Sequence, residues 1–412
     1  MRCSLCQAEN PTSCNRRFCP VMTQRLIKQN IVKRIDKEFY ANSPPSIFIG
    51  SRLKYPEVSV GILSPLVGKE EAEHYDNPYY WTEHNYSIEE VAGLRSSLIN
   101  SRFPTQITNI RSPTKLLDLT KEVGLAKKAV HLEITLKKKL QGGTTVNKIH
   151  SPFGPTGPLQ KATATENISR DQQVEKVTND TDMKAVQALM HLYKRGFKEH
   201  QLTQILSVGS IGLKKNRRLV PTRFSITATD DTIGKELLKE IKNYQIIKDY
   251  LLFEGNFFGN YYFIAVFPEV WSYELFEGYI PGSIWNFSGQ LEWSTDSETV
   301  YGRKNYASNT VGGYYAARLP ILEYLKEQKR QASILVIRLE TPEYSAPLGV
   351  WVVRTAAQKT MKNQPLKYSS KEELLKEMKE HIKKRFGERC TEVFERSKLV
   401  KTVNTQKKLF DF

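Results

Sequence analysis

The alternation of apolar and polar positions predicts a protein that mixes strands and helices. Two runs rich in β-branched residues, Ser46–Arg52 and Val58–Leu63, are separated by turn residues and favour two strands in the first half of the chain. In the second half, strands are expected at Tyr261–Phe267, Ser333–Leu339 and Leu348–Val353. The expected fold class is therefore α+β.

Apolar residues that recur every three or four positions predict the helices. The expected helices are Met22–Tyr40 (a basic one), Ser87–Asn100, Pro113–Leu140, Met183–Phe197, Gln201–Val208 and Gly312–Lys329. A charged helix is expected to end near Gly387, because Ser370 and Glu373 form a capping box ahead of it. Phe224–Ala228 alternates like a half-buried strand, and Asp231 is placed to cap a helix that follows it.

The length of the chain predicts several domains. One hydrophobic core stops growing at about 250–300 residues, and this chain has 412. Periodicity is lost over residues 141–182, where Gly and Pro cluster, so a linker or long loop is expected there. The expected order is a metal knot with a basic helix (1–40), an N-terminal α+β region (41–140), that linker (141–182), a C-terminal α+β domain (183–368), a charged helix (369–396) and a flexible tail (397–412).

The balance of charges favours a polyanionic partner. The formal net charge is +17 at pH 7, and phosphate backbones are the commonest intracellular polyanions. A Lys-rich surface that only solvates a thermophilic protein is the alternative. No apolar run approaches the roughly eighteen residues that span a bilayer, and the N-terminus lacks a secretory signal. We therefore expect no membrane partner and a cytoplasmic location.

Four of the five cysteines crowd into the first nineteen residues with the spacing C-x2-C-x7-C-x4-C. These residues are Cys3, Cys6, Cys14 and Cys19. Clustered cysteines in a cytosolic chain favour metal ligands, and four thiolates complete a tetrahedral zinc site. Zinc would then supply the folding energy of a segment too short for a core. An iron–sulfur cluster and, in a hyperthermophile, a disulfide pair are the alternatives.

The last seven residues suggest a segment that is buried in another protein. Gln406, Leu409 and Phe412 are three residues apart, so a single 3₁₀ turn would align them. Phe410 occupies the variable position between the two apolar residues. The pattern resembles the PCNA-interacting peptide, by which replication and repair proteins dock on the DNA sliding clamp. The alternative is a tail whose phenylalanines fold back on the domain.

One basic run is the best candidate for contact with nucleic acid. It has five cations and no acid, and it consists of Lys214, Lys215, Arg217, Arg218 and Arg223. Cations in this number can hold a phosphodiester backbone. Aromatic residues that could stack on bases follow at Phe257, Phe258, Tyr261, Tyr262, Trp271 and Trp285. Core strands and a solvated basic face are the alternative interpretations.

The sequence contains none of the common catalytic motifs, namely a phosphate-binding loop, a nucleophile elbow or a metalloprotease helix. An enzyme acting on nucleotides or modified DNA, with its site in residues 210–355, is the alternative function. The side chains that would line its cleft are Arg217, Arg218, Arg223, Asp230, Asp231 and Arg318. A hydrolytic metal site in this half would need carboxylates such as Asp230, Asp231, Glu254, Glu274 and Asp296, and each of these is expected to be structural.

The order of these segments resembles the archaeal NreA family of DNA repair proteins. The stretches that carry the resemblance, besides the cysteine knot and the terminal peptide, are Ser51–Gly61, Leu219–Gly234, Gly312–Arg318 and Pro347–Arg354. The resemblance implies an archaeal source and a role in the response to DNA damage. It also implies that the protein is associated with the nucleoid and has PCNA and DNA as partners. It implies no catalytic residue that can be placed on this sequence.

Overall fold

The computed structural model describes residues 19–140, 154–286 and 288–405, and it confirms the mixed α+β architecture. The chain divides into two units: the first comprises residues 1–233 with 346–348, and the second comprises residues 234–345 with 349–412. The boundary therefore falls inside a helix after Ile233 and not at residues 141–182. The expected linker is wrong over residues 154–182, because strand Thr156–Ala164 and helix Gln172–Asn179 form there.

The first unit contains a six-stranded sheet. Its strands are β1 (Glu38–Ser43), β2 (Ile47–Gly50), β3 (Glu57–Ser64), β4 (Ile99–Gln106), β5 (Val130–Leu136) and β6 (Thr156–Ala164). They lie in the order β1-β5-β6-β4-β3-β2, with β4 and β6 parallel and the other neighbours antiparallel. The two strands expected in this region are confirmed as β2 and β3, and Val58, Val60 and Ile62 of β3 are fully buried.

Helices cover this sheet and connect its strands. They are α1 (Pro20–Arg34), α2 (Lys69–Ala72), α3 (Pro78–Glu83), α4 (Ile88–Ser97), α5 (Lys115–Gly124), α6 (Gln172–Asn179), α7 (Ala185–Tyr193) and α8 (Glu199–Ser207). At α4, the Ser87 side chain accepts from the Glu90 amide while the Glu90 carboxylate accepts from the Ser87 amide, so the sequence sets this helix start locally.

Two of the expected helices are too long. Met22–Tyr40 is helical only to Arg34, and Phe39 and Ala41 then alternate into the core from β1. Pro113–Leu140 is helical only from Lys115 to Gly124, and strand β5 follows with Val130, Leu132, Ile134 and Leu136 buried on one face. In both segments the sequence has a period of two after the helix, and this period belongs to the strand that follows.

Helix α9 (Thr222–Ile241) replaces the strand expected at Phe224–Ala228. Asp231 lies in the middle of this helix, so its expected role as a cap is wrong. One row of buried residues in α9 recurs every four positions, at Ser225, Thr229, Ile233, Leu237 and Ile241. The first two of these positions carry small hydroxyl side chains, and an apolar pattern therefore does not reveal this part of the buried face.

The second unit contains another six-stranded sheet. Its strands are β8 (Tyr250–Phe257), β9 (Asn260–Phe267), β10 (Ser272–Tyr279), β11 (Glu292–Glu298), β13 (Ser333–Glu340) and β14 (Leu366–Tyr368); β7 (Gln245–Ile246) and β12 (Arg330–Gln331) form a separate pair. The order is β11-β10-β13-β9-β8-β14, with only β10 and β13 parallel. Every residue of β9 and β13 is buried, which confirms the two central strands predicted from sequence.

The helices of the second unit pack against this sheet. They are α10 (Gly312–Gln328), α11 (Val350–Lys362), α12 (Lys371–Phe386), α13 (Val393–Arg396) and α14 (Lys398–Thr405). Helices α10 and α12 are confirmed, and the Ser370 hydroxyl caps α12 by accepting from the Glu373 amide at 3.2 Å. The strand expected at Leu348–Val353 is wrong, because α11 begins at Val350 with a buried apolar face that includes Val352 and Ala356.

Candidate nucleic-acid interface

Arg217 is used inside the first unit. Its guanidinium donates to the carbonyl oxygens of Gly212 at 2.9 Å, Thr178 at 2.7 Å and Asp180 at 2.7 Å. Burial lowers the pKa of Arg217, and Asp180 opposes this effect. Three donors are thereby committed to the end of helix α6 and the loop after α8. The expectation that Arg217 contacts phosphate therefore gives way to a structural role.

Four other cations of the run are exposed. Lys214 and Lys215 lie on a 3₁₀ turn, Lys214–Asn216, while Arg218 follows this turn and Arg223 lies in the first turn of α9. The backbone holds the segment in place, since the Leu219 amide donates to the Ile107 carbonyl at 2.9 Å. The side chains of these four cations are thus exposed, while hydrogen bonding holds the backbone of the segment in place.

A fifth exposed cation, Arg111, joins this surface from a distant part of the sequence. Its Nε donates to the Arg217 carbonyl oxygen at 3.0 Å, which places it beside Arg218. Within the described ranges, Arg111, Lys214, Lys215 and Arg218 form no ion pair with a carboxylate. We call the five residues Arg111, Lys214, Lys215, Arg218 and Arg223 the basic surface. No sequence pattern linked Arg111 to it.

Three of the six aromatic residues proposed to stack on bases, Tyr261, Tyr262 and Trp271, are core residues. Tyr262 and Trp271 are fully buried, and the Trp271 indole donates to Glu298 at 3.0 Å. Phe257 and Phe258 stack on each other with ring centroids 4.0 Å apart. Trp285 is partly exposed. The alternative interpretation, that these aromatics build core strands, describes Tyr261 and Tyr262 of β9 correctly.

Residues proposed for an enzymatic cleft are also committed to internal contacts. Arg318 is buried in the second unit and pairs with Glu298 at 2.7 Å. Asp296 accepts from the Asn309 and Thr310 amides at 3.0 and 2.8 Å, which confirms its structural role. Because the charge of Arg318 is already balanced by a buried carboxylate, this residue does not supply a cation to a cleft in residues 210–355.

A cleft of about 520 Å³ lies instead in the first unit, and the residues that line it range from Pro44 to Ile205 along the chain. Asp76 lies in its lining and accepts from Ser46 and Arg95, with His200 Nε2 at 3.8 Å. Burial alone raises the pKa of Asp76, but Arg95 and His200 outweigh it and hold the pKa below its ordinary value. This group was not anticipated from sequence, because its members are far apart along the chain.

A buried charge cluster in the second unit was also missed. Arg338 of β13 donates to Glu277 at 2.5 Å, to Glu340 at 2.9 Å and to the Asn260 side-chain oxygen at 2.6 and 2.9 Å. Burial raises the pKa of Glu340 to about 7, although Arg338 opposes this effect. The signal in the sequence was the charged pair Arg338 and Glu340 within an otherwise apolar strand.

The C-terminal segment is helical up to Thr405. Glu274 of β10 accepts from the Ser397 hydroxyl at 2.5 Å and from the Lys398 and Leu399 amides at 3.1 and 3.0 Å. Glu274 therefore caps α14, whose Leu399, Val400 and Val403 are buried. The expected flexible tail is wrong over 398–405. The motif residues Gln406, Leu409, Phe410 and Phe412 lie outside the described residues.

The cysteine knot falls mostly outside the described residues as well. Cys3, Cys6 and Cys14 lie outside them, while Cys19 is a free thiol at the N-cap position of α1. Its side chain makes no capping hydrogen bond, so the thiol is not committed to the helix. No helix in the described part of the chain is long and apolar enough to cross a membrane.

Comparisons with known proteins cover nearly the whole chain. The family description "Archaeal Nre, N-terminal" matches residues 13–286, and "Archaeal Nre, C-terminal" matches residues 298–412. A DNA repair protein NreA from Archaeoglobus fulgidus is 37% identical over 91% of this chain and 92% of its own. A DNA repair protein NreA from Haloferax volcanii is 38% identical over 76% of each chain.

A third relative, DNA repair protein NreB from Archaeoglobus fulgidus, is 32% identical over 97% of each chain. No solved structure matches this chain significantly. The two family matches together span both structural units, and the similarity to the relatives extends over most of their own lengths. The chain therefore belongs to the archaeal Nre family.

Proposed function

We propose that this protein is a DNA repair factor that holds DNA through the basic surface of its first unit and docks on the sliding clamp through residues 406–412. The proposal is supported by the names of three relatives, all of them DNA repair proteins. The observation that carries the DNA contact is the group of exposed cations around Lys214 and Lys215 that form no ion pair in the described ranges.

The basic surface fits a phosphate backbone better than a base sequence. Its members are long, exposed cations on a fixed backbone, and each phosphate neutralised releases counterions. The expected binding is therefore insensitive to sequence and sensitive to salt. Arg217 supports this surface by clamping the loop that precedes α9.

The test is titration of a labelled DNA duplex at several salt concentrations. Lys214→Ala/Lys215→Ala should weaken binding and reduce the slope of log K against log salt by about 2, because two phosphate contacts are lost. The matched control is Lys376→Ala/Lys384→Ala, which removes two exposed lysines from α12. Equal affinities and slopes for the two double variants would refute the basic surface as the DNA contact.

Docking on the clamp is tested separately. Leu409→Ala/Phe412→Ala should abolish co-migration with PCNA, since these two side chains form the apolar part of the motif. Since α14 is anchored by Glu274, the motif begins directly after an ordered helix and not at the end of a long tether. Tethering raises the effective concentration of the protein at DNA, so modest intrinsic DNA affinity suffices. Co-migration that is unchanged in this variant refutes the docking proposal.

We also propose that Cys3, Cys6, Cys14 and Cys19 hold a structural zinc ion. Cys19 supplies a free thiol directly before α1, and the donor set of four thiols suits zinc. Elemental analysis should give one zinc per chain, lost in Cys3→Ser/Cys6→Ser. Iron content with visible absorption would instead assign an iron–sulfur cluster.

A further inference from the structure

The loop between β11 and α10 presents aromatic side chains to solvent. Tyr301 is 89% exposed and Tyr306 is 50% exposed, and Val311 at the end of the same loop is also exposed. Tyr301 lies at the tip of a tight turn in which the Gly302 amide donates to the Thr299 carbonyl at 2.8 Å. Turn tips usually carry small polar residues, so a tyrosine ring held in water at this position needs an explanation.

Arg303 fixes the first arm of this loop. Its guanidinium donates to the carbonyl oxygens of Ser297 at 2.8 Å, Asn305 at 3.2 Å and Tyr306 at 3.1 Å, and it pairs with Asp296 at 3.1 Å. These contacts connect the tip of the loop to strand β11. The position of Tyr301 relative to the sheet is thereby restricted.

Asp296 and Tyr315 fix the second arm. The second oxygen of Asp296 accepts from the Asn309 and Thr310 amides, and the Tyr315 hydroxyl accepts from the Ala307 amide at 2.9 Å. The Tyr306 ring stacks on Tyr315 with centroids 5.6 Å apart. A loop held at this many points loses little conformational entropy when a ligand binds.

The charge of this loop favours an anionic ligand. Residues 299–311 contain two tyrosines and two cations but no acidic residue. The nearby carboxylates Asp296 and Glu298 are already paired with Arg303 and Arg318. Lys304 is exposed and forms no ion pair within the part of the chain that the structure describes. Exposed rings beside a cation are the combination that binds unpaired nucleobases, by stacking and by contact with phosphate.

We propose that the loop of residues 299–311 is a stacking platform for single-stranded DNA, with Tyr301 as the residue that stacks on an unpaired base and Lys304 as a phosphate contact. The platform rests on the proposed function in DNA repair and extends it from duplex backbone to unpaired strands. It lies in the second unit, whereas the basic surface belongs to the first. The two sites can therefore be inactivated independently.

The experiment compares a fluorescein-labelled dT20 strand, an rU20 strand of equal length and a DNA duplex, each titrated with the full chain. Tyr301→Ala should weaken dT20 binding by roughly five- to a hundredfold, because stacking on an aromatic side chain contributes this much per base. Duplex binding should change less than twofold, since paired bases are already stacked. Tyr301→Phe should retain dT20 binding, because the ring is kept.

Two controls separate stacking from general loss of apolar surface or of fold. Tyr301→Leu keeps an apolar side chain without a π face and should behave like Tyr301→Ala. Tyr55→Ala removes a tyrosine that is 69% exposed in the first unit, and it should leave dT20 binding unchanged. A melting temperature for each variant equal to that of the parent chain excludes unfolding as the cause.

The outcomes distinguish this inference from the proposed function. Duplex binding with dT20 affinity unaffected by Tyr301→Ala overturns the platform alone, and leaves a protein surface as the other use of the loop. Preference for rU20 over dT20 overturns the assignment to DNA. Absence of any duplex or single-strand binding by the parent chain overturns the proposed function itself.

Discussion

Glu274→Gln tests whether one buried carboxylate holds the C-terminal helix in place. Both carboxylate oxygens accept hydrogen bonds from the start of α14, at 2.5, 3.0 and 3.1 Å. The glutamine side chain keeps one oxygen as an acceptor, but its NH₂ group replaces the other oxygen. This NH₂ group is a donor and would face a hydrogen-bond donor at the start of α14. The substitution therefore removes the charge and leaves at least one buried donor unpaired.

The expected cost follows from these contacts. A buried donor without a partner costs about 1–3 kcal/mol, and hydrogen bonds to a charged acceptor contribute about 1.5–3 kcal/mol. We expect α14 to lose about 3 kcal/mol of local stability, which corresponds to roughly a hundredfold change in its opening equilibrium. The buried side chains Leu399, Val400 and Val403 of α14 then become transiently exposed.

Hydrogen–deuterium exchange measured by mass spectrometry provides the assay. Peptides covering 398–405 should exchange about a hundredfold faster in Glu274→Gln, whereas peptides of β13 should keep the rates of the parent chain. The control is Glu395→Gln, an exposed glutamate of the neighbouring helix α13. Exchange of α14 at the parent rate in Glu274→Gln would show that apolar packing alone anchors the helix, and would refute the capping argument.

Three further predictions concern the stability of each unit. Burial raises the pKa of Glu340 from 4.5 to about 7 in the folded protein. The ionised carboxylate therefore destabilises the fold by about 3 kcal/mol above about pH 7, and this cost is absent below about pH 4.5. Glu340→Gln should stabilise the protein at pH 8 and not at pH 4.5, and an equal change in melting temperature at both pH values would contradict this. Gly209→Ala should cost at least about 2 kcal/mol in urea unfolding, because φ is +65° and the new Cβ would lie 2.3 Å from the Arg218 carbonyl oxygen; a neutral effect would disprove the clash. Val311→Gly should stabilise by about 1 kcal/mol, since a β-branched residue is strained at φ +50°, and a loss of stability would argue against strain.

The central strands were predictable because their signal is local. β3, β9 and β13 are short apolar or alternating runs between turn residues, and their burial follows from that pattern alone. The serine caps of α4 and α12 are equally local, because donor and acceptor are three residues apart. The strand predicted at Phe224–Ala228 is wrong because a local signal is too short there. Five alternating residues do not distinguish a strand from a helix whose buried face carries Ser225 and Thr229.

The candidate site was predictable only in composition. The sequence identified a basic run, but it could not separate Arg217 from Arg218, because the carbonyl oxygens that hold Arg217 belong to Thr178 and Asp180, almost forty residues earlier. Arg111 joined the surface through a contact over a still longer separation. The exposed Tyr301 was likewise hidden among twenty tyrosines.

By itself, the sequence determined the fold class, the central strands, the excess of positive charge and the resemblance to a family, since each depends on residue types and on neighbours along the chain. The tertiary structure decided which charged groups are committed and which remain exposed. Arg217, Arg318 and Arg338 have the same chemistry as Arg218, and only the folded chain brings carbonyl and carboxylate partners to the first three. Availability of a cation depends on its distance to a partner in space, and sequence spacing does not contain that distance.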